Sequence, residues 1–132
     1  MPKKMIKSKK MTILIVGASG ATGIRLVEEL LNRGHDVKAI VRSPDRFPDN
    51  LRNHTAMDLI QASVLELSDR EMEQHVAGCD AIASCLGHNL SFKGLFGKPR
   101  RLVTDATRRL CLAIKANDPA APIKFILMNT VA

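Results

Sequence analysis

The stretch Ile13-Leu14-Ile15-Val16-Gly17-Ala18-Ser19-Gly20-Ala21-Thr22-Gly23 decides the fold. Its four leading apolar residues, mostly β-branched, read as a strand buried on both faces. Glycines at 17, 20 and 23 then turn the chain into a helical pattern running from Ile24 to Arg33, with Ile24, Leu26, Val27, Leu30 and Leu31 on its apolar side. Glycines three apart at a strand-to-helix turn let backbone approach a pyrophosphate, which sits on the free N–H groups of the helix N-terminus. A glycine pattern alone is weak evidence, and the alternative is an ordinary glycine-rich turn. The strand before it and the helix after it supply the context that the motif requires.

Outward from this turn, apolar runs and helical patterns alternate. The first strand spans Thr12 to Val16, and Gly34 is placed to cap the helix that follows. Val37 to Val41 is a second strand. Ser43-Pro44-Asp45-Arg46 is a turn or short helix, with Pro44 suited to a first helical position. Met57 to Gln61 is a third, weaker strand. Ser68-Asp69-Arg70-Glu71 resembles a capping box opening a helix that stops at Gly78. Asp80 to Cys85 is a fourth strand, and residues 87–98 form a loop with Gly87, Gly94 and Gly97. Pro99 to Asn117 is a long helix presenting Leu102, Val103, Ala106, Leu110, Ala113 and Ile114, and Ile123 to Met128 is a fifth strand. Strands joined by helical crossovers imply an α/β fold with a doubly wound parallel sheet.

With 132 residues, 45% hydrophobic and 25% charged, the chain reads as a single soluble globular domain. Residues 1–10 carry five lysines, which supply much of the net charge of +7. This segment reads as a basic, disordered leader to a domain of residues 11–132. A basic arm can also touch nucleic acid or an anionic membrane. The rest of the chain is nearly balanced, so no nucleic-acid partner is expected, and no apolar run reaches the ~20 residues that span a bilayer. Cys79, Cys85 and Cys111 have no metal-ligand spacing, so no metal is expected and a reducing, cytoplasmic setting fits. Cys85 reads as a small buried hydrophobe.

The chain resembles the atypical short-chain dehydrogenases/reductases, the NAD(P)-binding group that includes NmrA-like proteins and biliverdin/flavin reductases. The resemblance rests on the glycine turn, on Val41-Arg42-Ser43-Pro44, on Ala77-Gly78-Cys79-Asp80-Ala81-Ile82, on Cys85-Leu86-Gly87 and on Lys124-Phe125-Ile126-Leu127-Met128. It implies a Rossmann-like sheet of five strands in the order 3-2-1-4-5. It implies too that Gly17, Ser19, Gly20, Ala21, Thr22 and Gly23 hold a pyrophosphate, and that Leu86 and Gly87 run along the nicotinamide ribose. At the end of the second strand an acidic residue favours NAD(H), whereas arginine favours a 2′-phosphate. Arg42 and Arg46 stand there, with no carboxylate before Asp45, so NADP(H) is expected over NAD(H). Ser63 takes the place where the family commonly has an aspartate receiving the adenine amino group.

The resemblance fails at the catalytic pair. Carbonyl-reducing members carry Tyr-x-x-x-Lys beyond the fifth strand, and this chain contains no tyrosine. Asn129-Thr130 stands where a serine is usual, so Thr130 and Asn129 are candidates for polarising a carbonyl, and His88 for a general acid. A loop histidine can equally be solvated. Phe92 and Phe96 in the 87–98 loop offer stacking surfaces for a flat substrate. The basic run Lys98, Arg100, Arg101, Arg108 and Arg109 either attracts anionic groups or forms a solvated helix face. Two functions follow from the resemblance: an NADP(H)-dependent oxidoreductase acting on a small carbonyl, quinone or flavin-like substrate, or a non-catalytic NADP(H)-sensing module. The chain is expected to be an N-terminal portion whose apolar fifth strand pairs at its edge with further chain, another protein or a second copy.

Overall fold

The structure, a computed structural model, describes residues 10–86 and 99–128. Strands β1 (Thr12–Val16), β2 (Asp36–Val41), β3 (Met57–Gln61), β4 (Ala81–Ser84) and β5 (Lys124–Leu127) form one sheet. Its order is β3-β2-β1-β4-β5, and every neighbouring pair is parallel. Helices α1 (Ala21–Asn32), α3 (Asp69–Val76) and α4 (Pro99–Asn117) are the long crossovers. A 3-10 turn at Pro44–Arg46 and the single-turn α2 (Asp49–Arg52) bridge β2 to β3. The expected 3-2-1-4-5 doubly wound sheet is the observed one.

The period-two alternation of the strands distributes one apolar run between two cores. Ile13, Ile15, Val37, Ala39, Val41, Ala81 and Ala83 pack on the face covered by Val27 and Leu31 of α1, together with Phe47 and Leu51. Leu14, Val16, Ile40 and Ile82 pack on the opposite face against Met72 and Val76 of α3 and Ala106, Leu110 and Ala113 of α4. Each fully buried aliphatic side chain contributes about 1.5–3 kcal/mol by leaving water. Lys38 sits among the strand's apolar residues because its stem packs there and its Nζ reaches the His75 carbonyl at the end of α3, 3.1 Å away.

Helix ends explain where the elements stop. Gly34 lies past α1 at φ +89°, with the Gly34 N–H bonded to the Leu31 carbonyl at 3.0 Å and the His35 N–H to the Leu30 carbonyl at 3.1 Å. Those two bonds are a Schellman motif, which needs a residue at ease with positive φ. At the start of α3 the Glu71 N–H donates to Ser68 Oγ at 3.0 Å, and the Ser68 N–H donates to Glu71 Oε1 at 2.8 Å. The Ser68 backbone N–H first, and then the Ser68 hydroxyl, lower the pKa of the Glu71 carboxyl by bonding its charged form. The sign is that of a depressed carboxylate: the cap's contribution is present at neutral pH and is lost as pH falls through the acidic range.

Sheet order leaves β5 at one edge. Lys124 and Met128 donate their N–H groups to the Asp80 and Ser84 carbonyls of the β4 side, at 3.2 and 2.9 Å. By alternation the N–H and C=O groups of Phe125 and Leu127 point away from the sheet. Ile126 is 59% exposed and Leu127 45% exposed, on opposite faces of the strand.

Among the described residues the Ser84 hydroxyl is buried, with the residue 1% exposed, and has no hydrogen-bond partner. Such a group loses its water bonds without replacement. Ser84→Ala is therefore expected to leave the melting temperature unchanged or raise it by ~2–4 °C. A fall of several degrees in a thermal melt would show that the hydroxyl has a partner.

Candidate functional site: the carboxyl edge of the sheet

Because all five strands are parallel, the segments leaving them gather along one edge. The sheet order reverses between β1 and β4, so the crevice of this fold opens there. Val16 bonds across it, accepting the Cys85 N–H at 2.8 Å.

The glycine turn fills the near side of that crevice. Gly17 has φ +73°, and a Cβ on it would lie 2.7 Å from the Cys85 carbonyl carbon and 2.7 Å from the Leu86 nitrogen. Gly23 is buried, and a Cβ there would lie 2.5 Å from the Gly17 oxygen and 2.6 Å from Ala18 Cα. Both positions admit glycine alone. Gly20 differs: its added Cβ would meet nothing nearer than the Gly17 oxygen at 3.8 Å. It caps α1 with extended backbone, φ −78° and ψ 170°, and contributes no side-chain cap.

The first intrahelical bond runs from the Ile24 N–H to the Gly20 carbonyl at 2.9 Å. The N–H groups of Ala21, Thr22 and Gly23 precede it and have no partner within the helix. No acidic side chain lies in this first turn. The uncrowded position of Gly20 and the N–H groups behind it, which have no partner among the described residues, form a cradle for an anion, with the positive end of the helix dipole beneath. The residues present therefore fit a dinucleotide's pyrophosphate. Ser19 is half-buried in the turn, and Ala21 and Thr22 are exposed.

Beside the turn, Arg42 follows β2 and is exposed, as is Arg46 at the end of the 3-10 turn. The turn is anchored by Phe47, whose side chain is buried and whose N–H bonds to the Pro44 carbonyl at 2.9 Å. Beyond β3, the Ala62 N–H continues the ladder to the Val41 carbonyl at 2.9 Å, and Ser63 follows half-buried. The Ser63 carbonyl accepts the N–H groups of Glu66 and Leu67 at 2.9 and 3.1 Å, which folds the loop into a turn. Arg42, Arg46 and Ser63 thus share the edge with the glycine turn.

Leu86 presents its backbone to Gly17 while its side chain is buried in the α3–α4 core. Cys85 is buried in the α1 core, and burial pushes its thiol up. It remains a protonated, apolar wall at neutral pH, as the sequence context suggests. Gly87, His88, Phe92, Phe96, Lys98, Asn129 and Thr130 lie outside the described residues.

Arg109 corrects the sequence reading. It is not a solvated helix face, and its guanidinium is turned onto groups of its own chain. Its Nη1 donates to the Val64 carbonyl at 2.6 Å, and its Nη2 donates to the Leu67 carbonyl and to Asp69 Oδ1 at 3.3 Å. The side chain is 19% exposed. Nothing in the local pattern Thr107-Arg108-Arg109 distinguishes it from the exposed Arg108; only the register of α4 against the β3–α3 loop does.

The NAD(P)H-binding family matches residues 17–131. The chain belongs to that family. It is 37% identical over 78 residues to an uncharacterized chloroplastic protein of Arabidopsis thaliana, a match covering 59% of this chain and 26% of that one. It is 35% identical over 74 residues to a Synechocystis protein whose name provisionally assigns it a dihydroflavonol 4-reductase activity, covering 56% of this chain and 20% of that protein. A short-chain dehydrogenase/reductase from Veillonella parvula, solved in complex with NADP, superposes with a TM-score of 0.66 at 16% identity. That superposition covers 90% of this chain and 47% of that one, and it demonstrates the shared fold. The chain thus spans less than half the length of these proteins. Among the described residues no helix is long and apolar enough to cross a membrane.

The steric difference between the glycines is testable. Gly23→Ala forces backbone against backbone and is expected to lower the melting temperature by many degrees or prevent folding. Gly20→Ala is expected to fold with a near-native melting temperature while weakening dinucleotide binding at least about tenfold, because its methyl projects into the cradle. Equal melting curves for the two variants would refute the assignment.

Proposed function

We propose that this chain is the cofactor-binding portion of an NADPH-dependent oxidoreductase acting on a small carbonyl, quinone or flavin-like substrate. The observation that carries the reading is the uncrowded Gly20 in front of α1 N–H groups with no side-chain cap, on the edge that also carries Arg42 and Arg46. Bound there, the nicotinamide cofactor supplies a hydride. The chain's own residues do the rest. Ala21, Thr22 and Gly23 donate backbone hydrogen bonds to the pyrophosphate, and Ser19 closes the turn beside them. Arg42 and Arg46 take the 2′-phosphate, Ser63 the adenine edge, and the Leu86–Gly87 backbone the nicotinamide ribose. Thr130, Asn129 and His88 are the proposed groups around the reacting carbon.

Arginine suits the 2′-phosphate because its planar fork makes charge-assisted bonds worth about 1.5–3 kcal/mol. That energy corresponds to roughly one to two orders of magnitude in cofactor preference. A second reading is a non-catalytic NADP(H)-sensing module. Turnover of quinones or flavins with NADPH separates the two readings.

A titration following nicotinamide fluorescence, in a chain without tryptophan, tests the common core of both. NADPH is expected to bind at micromolar concentration and at least about tenfold more tightly than NADH, with Arg42→Ala removing most of that difference. No binding of either nucleotide would overturn the proposal, and equal binding of both would overturn the role of Arg42.

The β5 edge belongs to the same reading. Its exposed Ile126 and outward-pointing backbone groups are expected to pair with a second copy when this chain is isolated. Light scattering should find concentration-dependent association that Ile126→Lys abolishes. A monodisperse wild-type monomer at high concentration would refute it.

A further inference from the structure

We propose that Arg109 is a positioning residue for the adenine end of the site, acting through the loop between β3 and α3; the inference rests on the NADP(H)-binding reading above. The loop that carries Ser63 is built from few polar ties. Its own turn uses the Ser63 carbonyl, which accepts the Glu66 and Leu67 N–H groups. The carbonyls of Val64 and Leu67 are both taken by the Arg109 guanidinium, which comes from α4, more than forty residues further along the chain. Val64 is buried and Leu65 and Leu67 are half-buried in the α3–α4 core, so these carbonyls would have little water to turn to without that partner.

The geometry suits arginine. One guanidinium presents two separate Nη groups in a fixed plane, so it can bridge two carbonyls at once. A lysine has the charge and a similar stem but a single nitrogen. The accompanying pair with Asp69 adds little, since that carboxylate is 91% exposed. Arg109 therefore acts by fixing backbone, and through it by fixing where Ser63 stands relative to Arg42, just past the neighbouring strand β2.

Asn117 provides the comparison. It also ties α4 across to its neighbour, donating to the Glu73 carbonyl at 3.0 Å, but at the far end of α4 and away from the carboxyl edge. Three variants decide the matter: Arg109→Lys, Arg109→Gln and Asn117→Ala. Calorimetry would measure NADPH, adenosine 2′,5′-bisphosphate and reduced nicotinamide mononucleotide, and hydrogen exchange would follow the Glu66 and Leu67 amides.

Both Arg109 variants are expected to weaken NADPH and the bisphosphate about tenfold and to speed exchange at Glu66 and Leu67. Binding of the mononucleotide should stay within about twofold, and Asn117→Ala should bind all three like wild type. Wild-type affinity in Arg109→Lys would mean that charge alone matters and would overturn the proposal. So would a parallel loss for the mononucleotide, or the same loss in Asn117→Ala. If the wild-type chain binds neither NADPH nor NADH, the functional reading fails. If wild type binds and Arg109→Lys equals it, only this inference fails.

Discussion

The turn after β1 and the strand exit after β4 approach so closely that no side chain fits between them, and the rest of the edge depends on that contact. Gly17 at φ +73° lies against the Cys85–Leu86 peptide, and Gly23 lies against the Gly17 carbonyl. Together these contacts fix the angle at which α1 leaves the sheet. The angle in turn decides where the free N–H groups of Ala21, Thr22 and Gly23 point. Preorganised donors of this kind need no rearrangement when an anion arrives, which is why backbone rather than side chains can do the binding. Gly20 stands apart from its two neighbours because a Cβ there would meet nothing nearer than 3.8 Å, whereas one at Gly17 or Gly23 would strike backbone.

Much of this was legible in the sequence because it is local. The limits of β1, β3 and α4, the Gly34 stop, the Pro44 turn and the Ser68–Glu71 box all follow from residues within one or two turns of one another. Sheet order followed from the crossovers and the family resemblance. The single-turn α2 escaped because Asp49-Asn50-Leu51-Arg52 is too short for periodicity to register, and it is held by Leu51 entering the α1 core. The carboxyl-edge residues came together as the parallel topology requires, although Ser63 and Arg42 are far from the glycine turn along the chain.

What sequence could not supply is long-range partnership. Arg42, Arg46, Arg108 and Arg109 are one residue type in similarly polar surroundings. Register alone separates them: α4 meets the β3–α3 loop on the face that carries Arg109, and Arg108 projects one step around to solvent. Ser84 is the converse case. It stands in an apolar strand and is buried, but its hydroxyl finds no partner among the described residues. Hydrophobic patterning reports burial and is silent on whether a buried polar atom is satisfied.

The two faces of the sheet contribute unequally to the edge. On the α1 face, glycine sterics set the pyrophosphate cradle through backbone contacts that tolerate almost no substitution. On the α3–α4 face, the loop carrying Ser63 is held by a turn, apolar packing and one guanidinium, each of which can be weakened without collapsing the fold. Specificity is therefore expected to be more adjustable at the adenine and 2′-phosphate end than at the pyrophosphate. Under the proposed function, exchanging Arg42 or loosening the Ser63 loop is expected to cost a few hydrogen bonds, whereas any change at Gly17 or Gly23 disturbs the junction of β1, α1 and β4 on which both cores rest.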